Sequence, residues 1–123
     1  MLREISSDSV KILSIQRAEL LMALEGISQQ VRRAHPEVKQ IRLFGSVARG
    51  DQVGTSDVDI LVLLHGSGPV DPLKAALDYL PYFALPVGVD LLVVGEAQVE
   101  KRLAQADPFM QRIWGESLEL SPD

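Results

Sequence analysis

The first regular pattern of apolar and polar positions covers about residues 14–34. Four apolar residues recur at the spacing of one α-helical face: Leu20, Leu24, Ile27 and Val31. Ser14 is a suitable N-cap residue, and Pro36 disfavours helical geometry at His35. The pattern therefore predicts an amphipathic helix whose apolar face packs against a core.

Three later segments have the patterns of β-strands: VKQIRLF at 38–44, SDVDILVLL at 56–64 and VGVDLLVV at 87–94. The first alternates apolar and polar residues, which is typical of a strand with one buried face. The second is apolar on both faces beyond Asp59, which predicts a central position in its sheet.

Turn-forming residues separate these segments from two further helices. HGSGPVDP at 65–72 is a loop by composition. Asp71 and Pro72 suit the N-cap and first turn of a helix that continues to Leu80. A last helical segment covers 97–114 with a possible break at Pro108, and SLELSPD follows as an extended or irregular tail. The order of elements predicts an α/β domain with helices packed on a small sheet.

Length, composition and charge narrow the classes of function. The 123 residues suit a single domain, 1–123, and the hydrophobic fraction of 46% is enough for a core. The net charge of −5 argues against direct binding of nucleic acid through its phosphates. No apolar run is long enough to span a membrane, no signal peptide is visible, and cysteine is absent. We expect a cytoplasmic protein.

The second strand begins with two acidic residues, Asp57 and Asp59. In an extended strand they would lie on the same face, roughly 6.5–7 Å apart along the chain. Two carboxylates at that distance repel each other unless a cation binds them or one is protonated. Mg²⁺ prefers oxygen ligands and often shares one or two carboxylates with substrate phosphates. The alternative is a solvated strand start with no ligand.

Two other features extend this candidate site. Gly45 and Ser46 end the first strand and can begin a helical turn, where free backbone N–H groups suit a phosphate. Arg49 follows about one turn later and could contact a phosphate or an acidic group. Asp90, in the third strand, would join the acidic pair if that strand lies beside the second. An ordinary helix cap and a salt-bridged edge residue are the alternatives.

The stretch GSVARGDQVGTSDVDILV, residues 45–62, resembles the signature of the nucleotidyltransferase superfamily related to DNA polymerase β. In that signature Gly-Ser is followed, after ten residues, by Asp-x-Asp. The GSVARG form and the short chain are similar to the minimal (MNT-type) branch, many members of which are antitoxins paired with HEPN proteins. The resemblance implies a palm-like nucleotidyltransferase fold with a small mixed β-sheet.

The resemblance also implies roles for the candidate residues. Gly45 and Ser46 would hold the phosphates of ATP, and Arg49 fits the ARG segment of the signature with either a structural or a phosphate-binding role. The catalytic and metal-binding set would comprise three acids that bind Mg²⁺, as two ions: Asp57, Asp59 and Asp90. The larger members of the superfamily carry a second domain for the base or acceptor, and this chain is too short for one.

The leading functional hypothesis is a Mg²⁺-dependent transfer of AMP from ATP to a protein hydroxyl, which would neutralise a HEPN-type toxin. A second hypothesis is an interaction protein that inhibits its partner by binding. LPYFALP at 80–86 could supply exposed apolar side chains for such a surface, or it could be an internal loop that packs on the core. Transfer to a small molecule or to RNA is a third. His35 and His65 share no metal-binding spacing, and Phe109 and Trp114 are expected to pack the last helix.

Overall fold

The computed structural model describes residues 9–51 and 57–122, with side chains described from residue 17 onwards. The helices are α1 (Ser9–Ala34), α2 (Gly45–Arg49), α3 (Pro72–Tyr79), α4 (Glu96–Ala104) and α5 (Pro108–Glu116). The strands are β1 (Val38–Phe44), β2 (Val58–Leu64), β3 (Val89–Gly95) and β4 (Leu118–Leu120). A 3₁₀ turn over Leu80–Phe83 follows α3 directly.

The four strands form one mixed sheet in the order β3-β2-β1-β4. Strand β1 is antiparallel to both β2 and β4, whereas β2 and β3 are parallel. The expected small mixed sheet is confirmed, and so is the central position of β2. In the register of the sheet, Asp59 pairs with Phe44 on one side and with Asp90 on the other. The sheet therefore places the start of β2 beside the end of β1 and the start of β3.

Helices cover both faces of this sheet. Side chains along each strand alternate between the two faces, so each strand buries side chains under both helical layers. On one face, α1 packs mainly on β1 and β4, and α3 packs mainly on β3. The buried residues of this layer include Leu24, Val31, Ile41, Ile60, Val62, Ala75 and Tyr79. On the other face, α4 and α5 pack on β2 and β3 through a smaller set: Leu61, Leu63, Val94, Val99, Met110 and Ile113. The apolar face expected for the first helix is confirmed, since Leu24 and Val31 are fully buried.

The helix boundaries agree with the expected signals except at the start of α1. Helix α1 already begins at Ser9, so the predicted N-cap role of Ser14 is wrong. The Asp71 side chain does cap α3, where it accepts hydrogen bonds from the N–H groups of Leu73 and Lys74. The expected break near Pro108 is confirmed because α4 ends at Ala104 and α5 starts at Pro108. The tail residues Leu118–Leu120 join the sheet as β4.

The aromatic residues of α5 differ in their packing. Trp114 packs on the smaller core beneath Arg42, whose guanidinium carbon lies 4.8 Å from the ring centroid. Phe109 remains 48% exposed, so the expectation that it packs the helix is not met. No helix in the described parts of the chain is long and apolar enough to cross a membrane.

Candidate active site at the start of strand β2

Helix α2 is a short turn that links β1 to the site. Gly45 at its start and Gly50 at its end have φ angles of +79° and +83°, a region that side-chain-bearing residues rarely adopt. Val47 and Ala48 between them are buried in the larger core. The turn is consequently fixed on the sheet although it is only five residues long.

Helix α1 holds the same turn from the other side. The Arg17 side chain donates from Nε to the carbonyl oxygen of Val47 at 2.8 Å and from Nη2 to that of Ala48 at 3.1 Å. These carbonyls lie at the C-terminal end of α2, where a cation is favourable. The sequence pattern did not identify Arg17, because nothing in local spacing links positions 17 and 47.

Gly45 lies against the carboxylate of Asp59. A Cβ atom placed on Gly45 would be 2.1 Å from Asp59 Oδ2, far inside van der Waals contact. Together with the positive φ angle, this contact leaves glycine as the one residue type that fits without displacing Asp59. The Gly-Ser turn and the acidic strand are therefore in direct contact.

Asp57 precedes β2 and lies against the adjacent parallel strand. A Cβ atom on Gly88 would be 2.4 Å from Asp57 Oδ1, and the N–H of Val58 donates to the Gly88 carbonyl oxygen at 2.9 Å. Asp57 and Asp59 thus lie over different glycines, Gly88 and Gly45. Such separation is what mutual repulsion between two carboxylates favours.

The third acid joins the other two at the same edge. Asp90 pairs with Asp59 in the parallel register of β2 and β3, so the condition under which Asp90 could join the acidic pair is met. Asp57 and Asp90 are exposed, whereas Asp59 is half-buried. The predicted acids thus form one group at the start of β2 and β3.

The surroundings of Asp59 disfavour its negative charge. Burial raises the pKa of Asp59 above its ordinary value of 3.8, and the neighbouring charges of Asp90, Asp57 and Glu116 raise it further, while Arg49 lowers it. A divalent cation among these carboxylates would relieve the repulsion, and the all-oxygen donor set suits Mg²⁺. Across residues 9–51 and 57–122, however, no three acidic or histidine side chains already meet as a preformed metal site.

Glu116, the last residue of α5, was not identified from the sequence. Its Oε2 atom accepts a hydrogen bond from the Gly45 N–H at 2.8 Å, and its Oε1 atom accepts one from Arg49 Nη1 at 3.0 Å. Arg49 also donates from Nε to Asp51 Oδ2 at 3.2 Å. Of the two alternatives for Arg49, contact with acidic groups is what the structure shows.

Neither histidine belongs to this site. His35 lies after α1 and contacts Glu37 at 3.0 Å, with its ring edge-on to Tyr79 at 5.0 Å between centroids. His65 follows β2 at the opposite end of that strand from Asp59 and is exposed. Both histidines thus lie near the end of β2 that is opposite Asp59.

The chain thus combines a mixed sheet that has helices on both faces with a Gly-Ser turn after β1 and acids at the starts of β2 and β3. The family model for the nucleotidyltransferase domain matches residues 24–121, and the chain belongs to this family. No curated protein sequence matches it significantly.

Two solved structures share the fold. One, from Sulfolobus solfataricus and provisionally described as a nucleotidyltransferase, is 22% identical with a TM-score of 0.60, over 81% of this chain and 85% of that chain. The other is a toxin–antitoxin structure with AMP-PNP, 26% identical with a TM-score of 0.54, over 77% of this chain and 70% of that chain.

Proposed function

We propose that this nucleotidyltransferase is a Mg²⁺-dependent enzyme that transfers AMP from ATP to a hydroxyl group of a partner protein. The observation that carries the proposal is the contact between Gly45 and Asp59, with Asp90 adjacent in the sheet. This arrangement brings a candidate phosphate-binding turn and a candidate metal-binding edge into one place. The family assignment supports the transfer of a nucleotide.

Each group has a specific role in the proposed reaction. The acceptor oxygen forms a bond to the α-phosphorus, the bond from that phosphorus to the β-phosphate oxygen breaks, and pyrophosphate leaves. The hydroxyl proton passes to an adjacent carboxylate. Gly45 and Ser46 bind the phosphates, with Arg49 as a further cationic contact. Asp57, Asp59 and Asp90 would hold Mg²⁺, which would supply charge stabilisation and lower the pKa of the acceptor hydroxyl.

The proposed acceptor is a tyrosine of a HEPN-type toxin, which the modification neutralises, so that this chain acts as the antitoxin. Support comes from the similarity to the toxin–antitoxin structure with AMP-PNP. The test is incubation of the protein with labelled ATP, Mg²⁺ and the product of the adjacent gene. Label is expected on the partner, and the D57A/D59A double variant is expected to transfer none.

The matched control is Glu100→Gln, which removes one negative charge at an exposed position of α4. It is expected to keep the wild-type rate. Absence of label with the wild-type protein, or equal labelling by the D57A/D59A variant, would contradict the proposal.

A second candidate is inhibition of the partner by binding alone, and one observation favours it. Leu73, Leu77 and Leu80 recur at helical spacing along α3 and the turn after it, and they are 71%, 69% and 41% exposed. Within LPYFALP, Leu80 is partly exposed and Phe83 is buried, so this segment contributes both to the surface and to the core. Binding alone predicts that the D57A/D59A variant still neutralises the partner, whereas L73S/L77S does not. The catalytic proposal predicts loss of neutralisation by D57A/D59A.

A further inference from the structure

The two groups that donate hydrogen bonds to Glu116 belong to residues of the proposed nucleotide site. The Gly45 N–H and the Arg49 guanidinium, here called the Gly45–Arg49 donor pair, both bind its carboxylate, at 2.8 and 3.0 Å. The two oxygens of Glu116 are used separately, one for each donor. A phosphate group presents its oxygens to neighbouring donors in the same way.

The contact is well enclosed and joins distant parts of the chain. The Glu116 side chain is only 14% exposed, although Arg49 is 43% exposed. Positions 49 and 116 are 67 residues apart in the chain, so the contact exists only because α5 packs beside α2. A carboxylate that is mostly shielded from water is favourable only when it is paired, and the donor pair provides that pairing.

The charges at this edge allow only one anion on the donor pair. Asp57, Asp59 and Glu116 already make the surroundings negative, with Arg49 as the cation that offsets the charge on Asp59. A phosphate cannot take the Gly45 N–H while Glu116 Oε2 accepts its hydrogen bond at 2.8 Å. Binding of a phosphate there therefore requires departure of the Glu116 carboxylate.

We propose that Glu116 is a built-in competitor of the nucleotide, which occupies the Gly45–Arg49 donor pair until the polyphosphate of ATP displaces it. The proposal rests on the proposed function for its biological ligand and names a regulation of that same site. It assigns Glu116 as a residue that weakens nucleotide binding, in contrast to a residue that positions the turn for binding.

The exchange is local because other contacts hold the end of α5. Ser117, the next residue, accepts a hydrogen bond at its Oγ from Arg42 Nε at 2.7 Å. Leu118 then pairs with Leu43 in the sheet. These contacts keep the backbone in place while the Glu116 side chain rotates away. Nucleotide binding thus needs no movement of helix α5.

The test is the affinity for sodium tripolyphosphate in buffer with Mg²⁺, measured by titration calorimetry, because this probe reports the donor pair without requiring any transfer reaction. Glu116→Gln keeps one acceptor and removes the charge, so it is expected to bind the probe several-fold more tightly than the wild type. Glu116→Ala removes both the acceptor and the charge, and its affinity for tripolyphosphate is expected to be about tenfold higher than that of the wild type. The control Glu100→Gln changes net charge equally and is expected to match the wild type.

The gain must also depend on the donor pair. Adding Arg49→Ala to Glu116→Gln is expected to abolish the tighter binding. If Glu116→Gln is folded by circular dichroism and binds tripolyphosphate no more tightly than the wild type, Glu116 is not a competitor, and weaker binding would show a positioning role. Failure of the proposed AMP transfer is a separate result, since the tripolyphosphate titration is independent of catalysis.

Discussion

Gly45 and Asp59 approach each other so closely that a single methyl group on Gly45 would lie 2.1 Å from a carboxylate oxygen. The two residues lie on either side of the connection between β1 and β2, Gly45 directly after β1 and Asp59 near the start of β2. The contact explains why the two halves of the motif, separated along the chain, form one surface. It also makes their relationship measurable by substitution.

Replacement of Gly45 by alanine is expected to destabilise the fold by at least about 2 kcal/mol, because it combines left-handed backbone strain with overlap on Asp59. Gly50→Ala is the matched control, since Gly50 has a similar φ angle of +83° but no atom within 4 Å of an added Cβ. Its cost is expected to be about 1 kcal/mol. Urea unfolding of the three proteins measures both values.

The two glycine variants also separate strain from site geometry. Gly45→Ala is expected to abolish transfer by displacing Asp59, whereas Gly50→Ala keeps measurable transfer. Equal destabilisation by the two substitutions would mean that the contact with Asp59 contributes nothing.

Replacement of Asp59 by asparagine is expected to raise the melting temperature at neutral pH while transfer falls at least ~100-fold. Burial, then Asp90 and Asp57, raise the pKa of Asp59 in the folded protein above its ordinary value of 3.8. Its charged form therefore disfavours folding, and the uncharged amide does not.

The raised pKa of Asp59 also determines how the stability of the fold changes with pH. The stability contributed by Asp59 is fully present below pH 3.8 and is lost as the pH rises through the higher pKa of the folded protein. The advantage of Asp59→Asn over the wild type should thus disappear on acidification. Thermal unfolding of both proteins at neutral pH and below pH 3.8 tests this prediction. A lower melting temperature for Asp59→Asn than for the wild type at neutral pH would contradict it.

Replacement of Arg17 by methionine is expected to destabilise the protein by about 1–2 kcal/mol, because the carbonyl oxygens of Val47 and Ala48 lose their donors. Displacement of α2 should lower kcat/KM for transfer by about tenfold. Arg33→Met removes an exposed arginine from the same helix and serves as the control, with little expected effect on either quantity. Equal effects of the two variants would show that Arg17 does not position the turn.

Replacement of Tyr79 by phenylalanine is expected to destabilise the fold by about 1 kcal/mol. The buried Tyr79 hydroxyl donates to Glu37 Oε2 at 2.7 Å. Tyr82→Phe removes a longer contact, 3.4 Å to His35 Nε2, and should cost about half as much or less. Chemical unfolding of both variants measures these costs. A larger destabilisation by Tyr82→Phe than by Tyr79→Phe would contradict the prediction that the Tyr79 hydrogen bond contributes more to stability.

Much of the fold could be predicted from local patterns. The apolar face of α1, the β1 strand, the Asp71 cap and the break at Pro108 each depend on neighbouring residues, so the sequence displays them directly. The start of α1 could not be placed, because Ser14 is an acceptable cap that the helix passes through. The exposure of Phe109 depends on how α5 is oriented on the sheet, which no local pattern records.

The features of the candidate site likewise divide into those that the local sequence predicts and those that depend on the tertiary structure. By itself the sequence determined the residue types at the site, since Gly-Ser and Asp-x-Asp both lie within residues 45–59 and the alternation of side chains along a strand is local. Only the tertiary structure decided that β3 pairs in parallel with β2, which puts Asp90 beside Asp59. It also decided that Glu116 and Arg17 reach the turn from separate helices. Such long-range contacts depend on how helices and strands pack, and packing is a property of the whole fold.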